Sequence, residues 1–195
     1  MQASEETLMS NAQETSEFRL ISPNRLAGSK ILIVDDSRLM LNTIERHLRN
    51  HGFSEVLTAT DGQEGLRIAA DFRPDLVLTD LQMPNMDGYE LCQRMRADAA
   101  LAEVPILVMA SMERTTDRSI VFSAGATDLL AKPIDRLELI GRMRVHLDRR
   151  SLILRLSEYQ RCMDTDLQLA RSMQETLMPS EEVVAQYEAA MPVEI

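Results

Sequence analysis

Tryptophan is absent from the 195 residues, and the other aromatics are scarce, with four Phe and three Tyr. A core built from this chain must be aliphatic and methionine-rich, and few rings remain for stacking on nucleobases. Cysteine is nearly absent too. Cys92 and Cys162 lie far apart without ligand spacing, which argues against a disulfide framework and predicts a cytoplasmic, reducing home. No apolar run approaches the ~18 residues that cross a bilayer, and no basic start leads into an apolar stretch. The sequence therefore predicts neither a membrane span nor a signal peptide. Positive charge is in deficit, with 21 Lys and Arg against 31 Asp and Glu. The net charge of −10 argues against a whole-chain binder of nucleic acid or anionic membrane.

What the chain does have is a set of short hydrophobic runs that end on charge. Ile31-Leu32-Ile33-Val34 delivers Asp35-Asp36, Asp75-Leu76-Val77-Leu78-Thr79 delivers Asp80, and Asp128-Leu129-Leu130-Ala131 delivers Lys132, followed by Pro133. Read as parallel strands, these runs bring three acids and one cation to the sheet edge where open α/β folds bind ligands. Taken alone, Asp35-Asp36 is equally a turn or helix-capping pair. Only the ordered set points to chemistry.

Strand and helix patterns alternate from Lys30 to about Leu147, which predicts a parallel sheet covered on both faces. Strands are expected at 30–34, 55–59, 75–79, 105–109 and 128–131. The first helix runs from Ser37, a good N-cap, to Asn50, with Met40, Ile44 and Leu48 on one stripe. Asp61-Gly62 opens a second helix carrying Leu66, Ile68 and Ala69; a third spans 88–97 and a fourth about 115–124. Asp135 and Glu138 form an expected capping box for the last. Residues 1–28, polar and without period, read as a disordered arm in which Leu20-Ile21 offers a local docking point. The expected organisation is an arm at 1–28, an α/β domain at 29–148, a helix at 149–179 and a tail or the start of a further domain at 180–195.

The helical pattern continues past Leu147. Leu152, Leu156, Tyr159, Met163, Asp166, Ala170, Met173 and Leu177 are spaced by alternating steps of four and three, the heptad signature of a two-stranded coiled coil. Asp166 interrupts the row, and Leu167 beside it offers a shifted register. A single amphipathic helix lying on its own domain is the alternative. A homodimer paired through this seam is the expectation.

Mg²⁺ takes oxygen ligands and keeps several waters, so a few carboxylates suit it. Asp36 and Asp80 would ligate directly, with Asp35 holding a water or completing the shell. Asp80 would be the nucleophile of an in-line displacement that forms an acyl phosphate. Lys132 would meet a phosphoryl oxygen and, without phosphate, pair with Asp80.

These motifs closely resemble the receiver domain of two-component response regulators. The resemblance rests on Ile33-Val34-Asp35-Asp36-Ser37, on Asp80-Leu81-Gln82-Met83-Pro84-Asn85-Met86-Asp87-Gly88, on Gly125-Ala126 and on Lys132-Pro133. It covers about residues 29–148 and implies a five-stranded, doubly wound, flavodoxin-like fold. It further implies phosphorylation on Asp80, Mg²⁺ held by Asp36, Asp80 and the Gln82 main-chain carbonyl with Asp35 assisting, and a histidine kinase or phosphotransfer protein as donor. Two positions depart from the family pattern. Ala110 stands where receivers usually carry Ser or Thr, with Ser111 one residue later, and Leu129 stands where an aromatic switch residue is frequent.

Residues 166–179, Asp166 through Pro179, resemble the helical lead-in of bacterial stress-response phosphatases of the type 2C fold, which implies an output domain of that kind beyond Ile195 and a regulatory protein downstream of it. The chain itself is then no enzyme beyond accepting a phosphoryl group. A stand-alone dimerisation module and a diguanylate cyclase regulator are the alternatives. A haloacid-type phosphatase is disfavoured, because Asp80 is followed by Leu81-Gln82 rather than by an acid two residues on. His47, His51 and His146 read as ordinary helix residues, Met109, Met112, Met163 and Met173 as packing, and Arg142, Arg144, Arg149 and Arg150 as a solvated helix face.

Overall fold

The computed structural model describes residue 26, residues 28–111 and residues 118–177. Almost all of the expected arm, Leu20-Ile21, Met112, the first turn of the expected fourth helix and the whole of 180–195 lie outside the described residues. The chain divides into two compact units, Met1–Arg150 and Ser151–Ile195.

In the first unit five strands, β1 (Lys30–Val34), β2 (Glu55–Ala59), β3 (Leu76–Asp80), β4 (Ile106–Ser111) and β5 (Asp128–Lys132), form one parallel sheet. Their order, β2-β1-β3-β4-β5, is the flavodoxin-like one. Helices α1 (Arg38–Asn50), α2 (Gly62–Phe72), α3 (Gly88–Ala97), α4 (Arg118–Ser123) and α5 (Arg136–Leu177) connect and follow the strands. Because successive strand side chains point to opposite faces, each central strand feeds two cores. Ile31, Ile33, Leu76, Leu78, Leu107, Met109 and Leu130 pack with Leu41, Ile44 and Leu48 of α1 and with Leu139, Met143 and Leu147 of α5. Leu32, Val34, Val77, Val108 and Ala110 pack with Ala69 of α2, with Leu91 and Met95 of α3 and with Val121 of α4. Leu26, ahead of β1, packs partly buried against the first of these cores.

Most expected elements are where hydrophobic period put them, with shifts of one or two residues. β3 includes Asp80 itself, and β4 starts after Pro105, which has no N–H to give a ladder. On α1 the fully buried stripe is Leu41, Ile44 and Leu48, while Met40 is only partly buried. Half of the capping box forms: the Asp135 carboxylate accepts from Glu138 N at 2.8 Å, but the Glu138 carboxylate pairs with Arg142 at 2.7 Å. No helix among the described residues is long and apolar enough to cross a membrane.

The second unit holds the continuation of α5. Leu152, Leu156, Tyr159, Met163 and Met173 of the expected seam are exposed, as are Ile153, Leu154, Leu167 and Leu169 beside it. Ala170 and Asp166 are exposed as well. Leu177 closes the helix, and its side chain lies outside those described.

Candidate functional site

The site is built by alternation. In β1, Ile31 and Ile33 face the α1–α5 core, and two residues on comes Asp35. In β3, Leu76 and Leu78 lead to Asp80; in β5, Leu130 leads to Lys132. Three strands, the adjacent β1 and β3 and, beyond β4, β5, thus carry a buried apolar row that turns charged at the sheet's C-terminal edge. Parallel register does the rest, pairing Val34 with Thr79 and Ser111 with Lys132.

One carboxylate oxygen from each of Asp35, Asp36 and Asp80 lies within 4.8 Å of the others. Lys132 Nζ stands 3.0 Å from Asp80 Oδ2 and 3.2 Å from Asp35 Oδ2. The pairing with Asp80 is as the sequence predicts; that with Asp35 is additional. The acids sit at different depths: Asp35 is 1% exposed, Asp80 is partly buried, and Asp36 faces solvent. Asp35 Oδ1 accepts from Ser37 N at 2.9 Å, and Asp80 Oδ1 accepts from Leu81 N at 2.8 Å.

Burial pushes the Asp35 carboxyl up from the usual carboxylate range, and the Ser37 amide and Lys132 offset this only in part. Burial works against the Lys132 charge too, yet the hydrogen bond and proximity of Asp80, then Asp35, overcome it and raise its pKa. The pair is unequal, because the lysine gains two carboxylates while Asp35 shares one ammonium. Three carboxylates against one ammonium leave the cluster short of positive charge, and its oxygen-only donor set suits a hard divalent cation.

The loop after β3 closes tightly. Gly88 N donates to Leu81 O at 2.9 Å, and a Cβ at Gly88 would collide with the Asp80 carbonyl oxygen. Gln82 is exposed within this loop. Ala110 belongs to the row of Val108 in the opposite core, whereas Ser111, exposed, continues the row of Leu107 and Met109 on the face of Asp80 and Lys132. Leu129 packs partly buried against the opposite core.

Several residues outside the expected set prove structured. His146 Nε2 meets Asp128 Oδ2 at 3.1 Å, Arg142 binds both Asp128 oxygens at 2.8 and 2.9 Å, and Arg150 donates to Glu103 O at 2.9 Å. The solvated-face reading therefore holds for Arg144 and Arg149, which are exposed, and fails for Arg142 and Arg150. The same contact corrects the plain reading of His146. The His47 and His51 rings meet at a tilt of 54°, with centroids 4.4 Å apart.

Comparison with known proteins follows the same lines. The model of the response regulator receiver domain family matches residues 31–144. A DNA-binding dual master transcriptional regulator, RpaA of Synechocystis sp., is 36% identical over 120 residues, which is 62% of this chain and 49% of that protein. Response regulator MprA of Mycobacterium sp. is 40% identical over 122 residues, 63% of this chain and 52% of that one. The chain spans about half the length of the curated relatives it matches. Among solved structures, a Chloroflexus aurantiacus protein described as a response regulator superposes with a TM-score of 0.59 at 35% identity, covering 62% of this chain and 98% of that one. The Asp35, Asp36 and Asp80 cluster is typical of a receiver Mg²⁺ site. The chain belongs to the response regulator receiver domain family of two-component systems.

Proposed function

We propose that Asp80 accepts a phosphoryl group from a histidine kinase or phosphotransfer protein and that α5 relays the change to an output module. The observation that carries this reading is Lys132 Nζ at 3.0 Å from Asp80 Oδ2, inside a triad of carboxylates within 4.8 Å. An Asp80 oxygen attacks phosphorus, the P–N bond of the phosphohistidine breaks, and its electron pair returns to the imidazole, which takes a proton. Lys132 neutralises charge on the arriving phosphoryl oxygens. Asp36, Asp80 and the Gln82 main-chain carbonyl would hold Mg²⁺, with Asp35 beside them; bound there, the ion would supply the positive charge that lets a phosphate approach three acids. Ser111 offers its hydroxyl from the same face in place of one at Ala110.

The reading extends to a cytoplasmic homodimer, paired in parallel through Leu152, Leu156, Tyr159, Met163, Ala170, Met173 and Leu177. Its domain limits are 29–148 for the receiver, 149–179 for the signalling helix and 180–195 for a tail or the start of an output domain. The resemblance of residues 166–179 supports a type 2C serine/threonine phosphatase as that output. A DNA-binding output is the second reading, supported by the description of the Synechocystis relative.

Incubation with acetyl phosphate and Mg²⁺ followed by intact mass tests the core of this reading. One phosphoryl addition, acid-labile and absent from Asp80→Asn, is the expected result. Undiminished addition to Asp80→Asn sinks the assignment.

A further inference from the structure

We infer that Asp61 is a positioning residue for the cation site, acting through Asn85. Asp61 is the N-cap of α2, and it uses its two oxygens for different tasks. Oδ1 accepts from Glu64 N at 2.8 Å, which caps the helix. Oδ2 accepts from Asn85 Nδ2 at 2.9 Å, across 24 residues of sequence. Capping needs one oxygen; the second ties the start of α2 to the loop between β3 and α3.

Three further observations concern the same tie. Asn85 holds a left-handed backbone, φ 66°, a conformation Asn tolerates better than most residues. Its neighbour Met86 is buried, and the Met86 carbonyl accepts from Gly62 N at 3.2 Å. A Cβ at position 62 would stand 2.6 Å from that carbonyl oxygen, so the approach requires glycine. The loop is therefore pinned at its base, where Gly88 N meets Leu81 O, and at its tip by the side chain of Asn85 and the backbone of Met86. Gln82, whose carbonyl the proposed site uses, lies between the two pins. Hydrogen bonds to ligand-bearing segments fix ligand orientation and so set metal affinity.

This inference rests on the reading of Asp80 and its neighbours as a Mg²⁺-dependent acceptor. Two variants of the full chain separate capping from positioning. Asp61→Ser keeps an N-cap of comparable strength but has no second oxygen for Asn85. Asn85→Gly keeps the left-handed backbone and leaves the cap intact. Titration calorimetry with MgCl₂ should show Mg²⁺ bound about tenfold more weakly by each variant, and no more weakly still by the double variant, since both remove one interaction. Saturating Mg²⁺ should restore most of the rate of phosphoryl uptake from acetyl phosphate. Parent-like Mg²⁺ affinity in Asn85→Gly, which does not disturb the helix cap, would overturn the positioning role, as would losses that multiply in the double variant. A parent chain that binds no Mg²⁺ would instead overturn the acceptor reading beneath it.

Discussion

At the scale of single residues, Asp35 shows what the site costs the fold. A carboxyl pushed up by burial is less stable ionised in the protein than in water, and Lys132 is shared with Asp80. Asp35→Asn should therefore raise the melting temperature of the Mg²⁺-free chain at neutral pH, by roughly 2–4 °C if about 1 kcal/mol is recovered. The sign follows from linkage: the strain from Asp35 is absent below its ordinary value of 3.8 and grows as pH rises through its higher folded value. The gain should vanish on acidification below 3.8 and reverse when Mg²⁺ is added, since a bound cation inverts the preference. Thermal melts with and without the ion check both. Ser111→Ala should slow phosphoryl uptake about tenfold, less than loss of a full oxyanion donor because Lys132 remains. Ala110→Ser, in the opposite row, should leave the rate unchanged in the same assay. The acids and the lysine were legible in sequence because each ends an apolar run. The Lys132–Asp35 contact, 97 residues apart, and the Asp61–Asn85 tie were not, since no local period encodes a partner on another strand or loop.

At the scale of elements, α5 is fastened to the sheet by side chains one helical turn apart. Arg142 and His146 share Asp128 at the start of β5, and Arg150 reaches Glu103 O with Asp75 at 3.7 Å. Sequence reading took these arginines for a solvated face because their spacing is that of one. Their partners lie at the start of β5 and just before β3 and β4, which no helical period reports. Burial alone would raise the Asp128 carboxyl, but hydrogen bonds from Arg142 and His146 overcome it and hold it below the usual range. A depressed carboxyl stabilises the fold above its unfolded value of 3.8 and loses that contribution as pH falls through the folded one. Asp128→Asn should lower the urea midpoint at pH 7 by the equivalent of about 1 kcal/mol, modest because Arg142 is partly screened by solvent. The gap to the parent should close below pH 3.8. Strand and helix existence was read correctly from period, and strand ends were off by one or two residues because Pro105 and Asp80 act through backbone bonding rather than hydrophobicity.

At the scale of the whole molecule, the exposed side chains between Leu152 and Met173 are where the proposed homodimer would pair. Replacing Leu156 and Met163 together with Glu would bring like charges together at adjacent layers of a parallel pair. Light scattering should then report a monomer, with receiver melting unchanged. A persisting dimer would place the interface on another surface. Exposure also runs beyond the heptad row, to Ile153, Leu154, Leu167 and Leu169, so a simple two-position repeat understates the apolar surface available to a partner.

β5 has a consequence for descent. Its first residue, Asp128, receives Arg142 and His146, and its last, Lys132, meets Asp80. Five residues at the usual strand rise separate the two ends by about 13 Å. A one-residue insertion between them would put the two ends on opposite faces, so the strand could keep the helix anchor or the lysine contact with Asp80, but not both. Lineages carrying this fold should thus accumulate insertions and deletions in loops and beyond Arg150, while β5 is inherited as an indivisible block.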